Sequence, residues 1–205
     1  MIKKRQKGWE RKVLGHVFMG VDLYYVVHWF FIYSILGWTI ESIYMSFCNK
    51  KLTNRGFIRG PICPIYGVGA LTVYFVLRPF AGNYLELFVF GSLMATAIEF
   101  CTAKIMIRVF GGVWWDYTEK PFNYQGIICL ESSIVWGLYS VFEFWFLQSF
   151  VERIVKSYPV MFGRILGIVL ICYYLSAFCT KIYRNRKEDQ GSGGIFYISD
   201  RKSVV

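Results

Sequence analysis

The sequence has few charged residues for its length. Only 18% of its 205 residues are Asp, Glu, Lys or Arg, whereas 56% are hydrophobic and 20% are aromatic. A soluble domain is typically about 25% charged, and a chain of this length has too little interior to hide the excess apolar surface. A disordered chain is excluded as well, because disorder requires few aromatic residues. The composition therefore predicts that a lipid bilayer surrounds most of the chain.

The sequence also lacks the patterns of a zinc site or a disulfide framework. It has only two histidines, and its cysteines form no C-x-x-C pair. Most cysteines fall in apolar stretches, where this side chain commonly packs as a small hydrophobic residue. We therefore expect no cofactor, and the sequence leaves metal binding open. The cysteines are Cys48, Cys63, Cys101, Cys129, Cys172 and Cys179.

Long apolar stretches take the place of the missing charge. A helix needs about 20 mostly apolar residues to cross a bilayer. The stretches that meet or nearly meet this length are 23–46, 61–79, 85–103, 126–150 and 160–180. The predicted fold is an all-α, polytopic membrane helix bundle of about five transmembrane helices within residues 23–180. The second stretch begins with Pro61 and Pro64, so it either spans the membrane irregularly or is re-entrant.

Positive charge is concentrated at the two ends of the chain. Six of the 23 Lys and Arg lie in residues 1–22, and six more lie in residues 181–205. Basic segments beside apolar helices are attracted to anionic lipid headgroups, whereas nucleic-acid binding needs a basic face on a folded module. We therefore expect a lipid bilayer as partner and no nucleic acid. Residues 1–22 do not have the pattern of a cleavable signal peptide, and residues 181–205 are expected to be disordered. The distribution of Lys and Arg leaves the membrane orientation open.

The first four stretches contain a repeated pattern. Residues 34–41 align with residues 92–99, and residues 60–63 align with residues 126–129. Each unit is predicted to be a helix that ends near a glutamate, a polar loop, and a second helix that opens with G-x-I-C. The chain would then comprise two helix–loop–helix repeats and one further helix, an arrangement with parallels among transporters. A chance match is the alternative.

Three glutamates inside the predicted spans are candidates for a polar site. Glu41 and Glu99 lie near the ends of the first and third stretches, and Glu131 lies near the start of the fourth. In a five-span topology all three share one side and a similar depth. Ionisable groups in hydrocarbon are costly, which makes a shared functional site the default hypothesis. The alternative is that each one forms structural hydrogen bonds between helices. Glu143 is a weaker candidate, interpreted as a partner of Arg153 or as lying toward the interface.

Two polar loops provide the remaining candidates. These are Asn54, Arg55, Arg59, Trp115, Asp116 and Asn123. Paired guanidinium groups can recognise an anionic headgroup or substrate. A simple ion pair between Asp116 and one of these arginines is the alternative, and Trp114 suits an interfacial aromatic belt.

Several short motifs occur in a distinctive order. They are Gly37-Trp38 with Glu41, Asn54-Arg55-Gly56-Phe57, Gly60-Pro61, Pro64-Ile65-Tyr66-Gly67, Glu99, Trp114-Trp115-Asp116-Tyr117, Pro121-Phe122-Asn123 and Trp136-Gly137. The ordered set resembles a bacterial membrane family, the putative ABC-transporter type IV or CmpB-like family, over about residues 30–150. The resemblance implies a multi-pass permease protein of the bacterial cytoplasmic membrane.

The sequence contains no G-x-x-x-x-G-K-[ST] phosphate loop, so an ATPase would have to be a separate subunit. The leading hypothesis is therefore a transporter permease component that lacks its own ATPase. It would act with a separate ATPase, with other membrane subunits, or as a homo-oligomer. One alternative is an intramembrane enzyme that acts on a lipid or polyprenyl phosphate, with Arg55, Arg59 and Asp116 facing the headgroup. The other is a structural or regulatory subunit of a membrane complex.

Overall fold

The computed structural model describes residues 16–54, 60–113 and 115–191, and most of these residues form a helical bundle. Its helices are α1 (Leu23–Cys48), α2 (Pro64–Leu77), α3 (Tyr84–Phe110), α4 (Leu130–Phe142), α5 (Gln148–Ser157) and α6 (Val160–Gly191). A π-helical turn, Glu143–Leu147, joins α4 to α5, so that Leu130–Ser157 forms one continuous rod. The all-helical fold expected from the sequence is confirmed.

Two very short antiparallel hairpins accompany the helices. In the first, β1 (Val17–Phe18) pairs with β2 (Val21–Asp22) just before α1. In the second, β3 (Asn123–Tyr124) pairs with β4 (Ile128–Cys129) just before α4. Each hairpin therefore shapes the chain immediately before a long helix.

Within the described residues, four helices are long and apolar enough to cross a membrane. They are Leu23–Cys48, Tyr84–Phe110, Leu130–Ser157 and Val160–Arg184. The chain is thus a multi-pass membrane protein. The expected span 61–79 differs, because its α-helix covers only Pro64–Leu77 and is followed by a short 3₁₀ turn, Arg78–Phe80. Fourteen residues extend about 21 Å at about 1.5 Å per residue, which is less than the hydrocarbon core of about 30 Å.

Successive helices alternate in direction. The Tyr66 hydroxyl, near the start of α2, donates to Glu41 Oε2 at 2.8 Å, whereas the ring of Phe75, near the end of α2, lies 5.3 Å from that of Phe18. The helix α2 therefore returns the chain to the end of the bundle where α1 begins. A second antiparallel pair is formed by α3 and the rod Leu130–Ser157. As this alternation requires, α6 runs parallel to α1, since Gly163 contacts Tyr24 and Gly167, one turn later, contacts His28.

Capping residues explain where the helices begin and end. Asp22 accepts a hydrogen bond from the backbone N–H of Tyr24 at 2.8 Å and starts α1, and Asn83 caps α3 in the same way. Such caps satisfy backbone donors that have no partner inside the helix. The helix α3 ends at Gly111, whose φ of 73° lies in the left-handed region that favours glycine.

The main apolar core lies at the end of the bundle where α1 begins. It contains Val21, Tyr24, Tyr25, Trp29, Tyr33, Ala70, Tyr74, Phe75, Val151 and Val155. The helix α1 is central, because 44% of its most apolar stretch is buried within the protein, whereas the corresponding share in α6 is only 6%. Since α6 has little contact with the other described residues, most of its apolar surface is available to the bilayer.

Several helices are longer than the sequence predicted. The third span continues to Phe110 rather than 103, and the last helix continues to Gly191 rather than 180. Charged residues such as Lys104 and Arg108 mark the expected end of the third span, yet both are exposed on a helix that continues past them. Long cationic side chains can reach polar surroundings while the helix persists. Residues 1–15 and 192–205 lie outside the described residues.

Candidate polar site in the helix bundle

Glu99 is the centre of the candidate site. Its side chain is 5% exposed, and its carboxylate accepts three hydrogen bonds. Oε1 accepts from the Tyr117 hydroxyl at 3.1 Å, and Oε2 accepts from Ser132 Oγ at 3.3 Å and Trp136 Nε1 at 3.2 Å. A buried carboxylate is costly unless it is hydrogen-bonded. Glu99 meets this requirement with donors from both a loop and a helix.

Close packing between α3 and α4 directs Glu99 inward. Gly91, Ala95 and Glu99 lie four residues apart on one buried stripe of α3. A Cβ added to Gly91 would lie 2.3 Å from Ser140 Oγ, and one added to Gly137 would lie 2.2 Å from the hydroxyl oxygen of Ser92. The two helices can approach this closely only because both positions are glycine.

Glu41 lies at the neighbouring helix pair. It accepts the hydrogen bond from Tyr66, whose ring centroid lies 5.7 Å from that of Trp136. A Cβ on Gly37 would lie 2.1 Å from Tyr66 Cγ, so glycine is needed for α2 to pack here. Tyr66 and Trp136 therefore connect the Glu41 and Glu99 sites by ring contact.

The two sites occupy equivalent places in the predicted repeat. Cys63 and Cys129 are the N-cap residues of α2 and α4. The residue three positions after each cysteine donates a hydrogen bond to the glutamate of the preceding long helix, Tyr66 to Glu41 and Ser132 to Glu99. The similarity between the two helix–loop–helix units thus extends from sequence to hydrogen bonding.

Glu131 lies outside this arrangement. It is exposed and forms an ion pair with Lys120, with Nζ and Oε2 separated by 2.8 Å. The hydrogen bond and charge of Glu131 raise the pKa of Lys120. Ser132 and Trp136, four residues apart, face Glu99, whereas Glu131 is turned away by about 100° of helix rotation. Two of the three predicted carboxylates therefore belong to neighbouring sites, and the third faces solvent or headgroups.

The loop candidates mostly stabilise the loop before α4. Trp115 Nε1 donates to the Ile127 carbonyl oxygen at 2.9 Å, and Asp116 Oδ1 accepts from the Thr118 N–H at 2.9 Å. Asn123 donates to the Lys120 carbonyl oxygen at 2.8 Å and accepts from the backbone N–H of Gly126 at 3.1 Å. These bonds hold the loop over the carboxylate end of the bundle.

In the other loop, Asn54 accepts a hydrogen bond from Trp38 Nε1 at 2.7 Å. Arg55, Arg59 and Trp114 lie outside the described residues. The pairing of Asp116 with an arginine and the recognition of an anion by the arginine pair remain predictions.

A family model described as Putative ABC-transporter type IV matches residues 28–182. The chain belongs to this putative ABC-transporter type IV family. The match begins within α1 and ends within α6, so it includes both carboxylate sites and extends beyond the region of motif resemblance. No curated protein and no solved structure matches the chain.

In this family member, sequence reasoning missed the hydrogen-bond donors to the carboxylates. Tyr66, Tyr117 and Trp136 belong to the family-like motifs, but no spacing rule paired them with Glu41 or Glu99. Tyr117 lies in the loop, and burial, followed by the negative charge of Glu99, raises its pKa above the ordinary range of tyrosine. The i, i+4 spacing of Ser132 and Trp136 was the one available signal, because it places both on one helix face.

A small cavity lies beside Glu99, between α2, α3 and α4. Its lining includes Glu99, Trp136, Tyr139 and Gly69, and its volume is about 10 Å³. This is about the smallest volume that holds one water molecule. The candidate site is therefore tightly packed in this conformation.

Proposed function

We propose that this chain is the permease component of a bacterial ABC-type transporter in the cytoplasmic membrane, acting with a separate ATPase subunit. The observation that carries the proposal is the hydrogen bonding of Glu99. A carboxylate inside a multi-pass bundle accepts from Tyr117 in a loop and from Ser132 and Trp136 in a helix. Ionisable groups in this position commonly mark substrate or ion pathways. Family membership supports a transport role.

The arrangement suggests how the path would open. Tyr66 and Trp136 meet where the α1–α2 pair contacts the α3–α4 pair. A cavity of about 10 Å³ is too small for a typical ligand pocket of roughly 300 Å³ or more. Separation of the two helix pairs at this contact would enlarge it and expose Glu41 and Glu99 together. The substrate would then meet two carboxylates, a charge arrangement suited to a cationic or hydrogen-bond-donating solute.

Isolation of the tagged chain from native membranes in mild detergent tests the proposal. We expect a stoichiometric nucleotide-binding subunit and ATP hydrolysis by the complex. The variant Glu99→Gln should still assemble but lose most of the substrate-dependent ATP hydrolysis, whereas the exposed Glu131→Gln should behave as wild type. A chain that purifies without any ATPase would contradict the proposal. Turnover of lipid phosphates by the purified chain alone would favour the enzymatic alternative.

A further inference from the structure

Glu143 is the most deeply buried carboxylate among the described residues. Its exposed fraction is 0%, and neither Oε atom has a hydrogen-bond partner in the described part of the chain. The sequence suggested that Glu143 pairs with Arg153 or lies toward the interface. Its burial and its unpartnered oxygens show neither arrangement. It opens the π-helical turn Glu143–Leu147 in the middle of the rod Leu130–Ser157. Single π-helical turns within α-helices often occur at functional sites.

The surroundings of Glu143 are aromatic hydroxyl groups rather than cations. Tyr33 of α1, Tyr74 of α2 and Tyr139 of α4 lie within electrostatic range of its carboxylate. From α5, Glu152 interacts with Tyr33 and Tyr74. Arg78 is placed against Tyr74, with its guanidinium carbon 5.8 Å from the centre of the ring, and no ion pair between described residues includes Glu143. An ionised Glu143 would thus be a buried charge without an ion-pair partner, which is strongly unfavourable.

We propose that Glu143 is a proton-binding site inside the membrane bundle. Protonation converts its carboxylate into a neutral carboxyl group and removes the unpaired buried charge. The proton comes from water and returns to water, and no other bond changes. The proposal does not depend on transport, because proton binding is measurable on the isolated chain.

A hydrogen-bonded line of polar side chains runs from Tyr33 to Glu152 in α5. The Tyr33 hydroxyl donates to Gln148 Oε1 at 2.6 Å, and Gln148 Nε2 donates to Glu152 Oε1 at 3.2 Å. Glu152 is partly exposed and lies 3.7 Å from Lys156. Tyr33 and Gln148 are themselves buried. Because neither Glu143 oxygen is hydrogen-bonded to this line, the proposal requires the proton to cross from Glu143 to Tyr33 when it is exchanged.

On its other side, Glu143 lies close to the cavity beside Glu99. Tyr139 lines that cavity and is also within electrostatic range of Glu143. The seven residues from Trp136 to Glu143 correspond to about 10 Å along the helix. The proton site is therefore separate from the Glu99 site, and Tyr139 lies between them.

Infrared difference spectroscopy of the purified chain in lipid nanodiscs tests the proposal. At neutral pH we expect the carbonyl stretch of a protonated carboxyl group, which disappears reversibly at alkaline pH and shifts on transfer to D₂O. The band should be absent in Glu143→Gln and unchanged in Glu131→Gln, which removes an exposed carboxylate. Tyr33→Phe, which keeps Glu143, should retain the band and slow its shift in D₂O.

Two results would overturn the proposal. One is a spectrum of Glu143→Gln identical to that of wild type, which would show that Glu143 carries no proton. The other is a Glu143 band that neither shifts in D₂O nor responds to pH, which would show a locked carboxyl group. If Glu143→Gln does not fold, Glu143→Asp replaces it, because a shorter carboxyl group should move the band if Glu143 is its source. An unmoved band in Glu143→Asp would count against the proposal.

Discussion

Glu99 and Glu143 are the same type of residue at nearly the same burial, 5% and 0% exposed, yet their surroundings are opposite. Glu99 accepts hydrogen bonds from three donors, whereas neither oxygen of Glu143 has a partner among the described residues. Burial alone therefore does not define the role of a carboxylate in this bundle. The donors suit Glu99 to act as a charged acceptor at the loop end of the bundle. The lack of such donors among the described residues suits Glu143 to bind a proton.

The largest expected effect comes from a charge that cannot be neutralised at the Glu143 position. Glu143→Arg would place a permanent cation in a fully buried site. We expect a loss of about 3–5 kcal/mol in the free energy of unfolding, because an unpaired buried charge is strongly destabilising. The measurement is thermal unfolding and folded yield in detergent. Glu131→Arg, on the same rod but exposed, is the matched control and should fold. Equal yields from both variants would contradict the proposed surroundings of Glu143.

Replacing each glutamate by glutamine should change the stability less, but by different amounts at the Glu99 and Glu143 sites. Glu99→Gln replaces one acceptor oxygen with a donor that faces other donors, so we expect it to fold with a loss of about 2 kcal/mol. Glu143→Gln removes no hydrogen bond described and should change stability by less than about 1 kcal/mol. Unfolding midpoints of the two variants in the same detergent measure the difference. A larger loss of stability in Glu143→Gln than in Glu99→Gln would contradict the contrast between a hydrogen-bonded Glu99 and an unpartnered Glu143.

Tyr117, the loop residue that donates to Glu99, should make the stability of the folded chain depend on pH. Tyr117→Phe removes the donor to Oε1 and should cost about 1.5 kcal/mol at neutral pH. Because the pKa of Tyr117 is raised in the folded state, the folded chain keeps the tyrosine proton where the unfolded chain loses it. The contribution of Tyr117 to the free energy of unfolding is therefore complete below about pH 10, the ordinary pKa of tyrosine. It is lost as the pH rises further.

Unfolding midpoints between neutral and alkaline pH test this linkage. Wild type should lose stability above about pH 10 more steeply than Tyr117→Phe. Tyr124→Phe, which removes an exposed hydroxyl from β3, is the control and should follow wild type. Parallel curves for wild type and Tyr117→Phe would show that Tyr117 is not linked to Glu99 in solution.

The smallest effect is expected at Glu131. Glu131→Gln breaks an exposed ion pair with Lys120, and such pairs contribute little because solvent and salt screen them. The unfolding midpoint should stay close to that of wild type, and any difference should vanish at high salt. A large loss that persists in salt would place Glu131 among the buried carboxylates, as the sequence first suggested.

Much of the fold could be predicted because it depends on composition and periodicity. The apolar stretches located the long helices, and the four-residue spacing of Gly91, Ala95 and Glu99 in the sequence corresponds to a buried stripe in the structure. The ends of α3 and α6 could not be predicted, because charged residues can continue a helix beyond the apolar region. The shared depth of Glu41, Glu99 and Glu131 stays a prediction, and it gave no information about rotation around the helix axis, which turns Glu131 to an exposed position.

The sequence by itself determined that this chain is a multi-pass helical membrane protein, and its ordered motifs indicated its family. Both follow from local properties, since each helix needs only its own apolar length and the motifs need only their order. The tertiary structure alone decided which glutamates have partners. Tyr66, Tyr117 and Trp136 reach the carboxylates from other segments of the chain. Glu143 interacts electrostatically with Tyr33, Tyr74 and Tyr139, which come from three different helices. Such contacts depend on how helices pack side by side, which spacing along one helix does not specify.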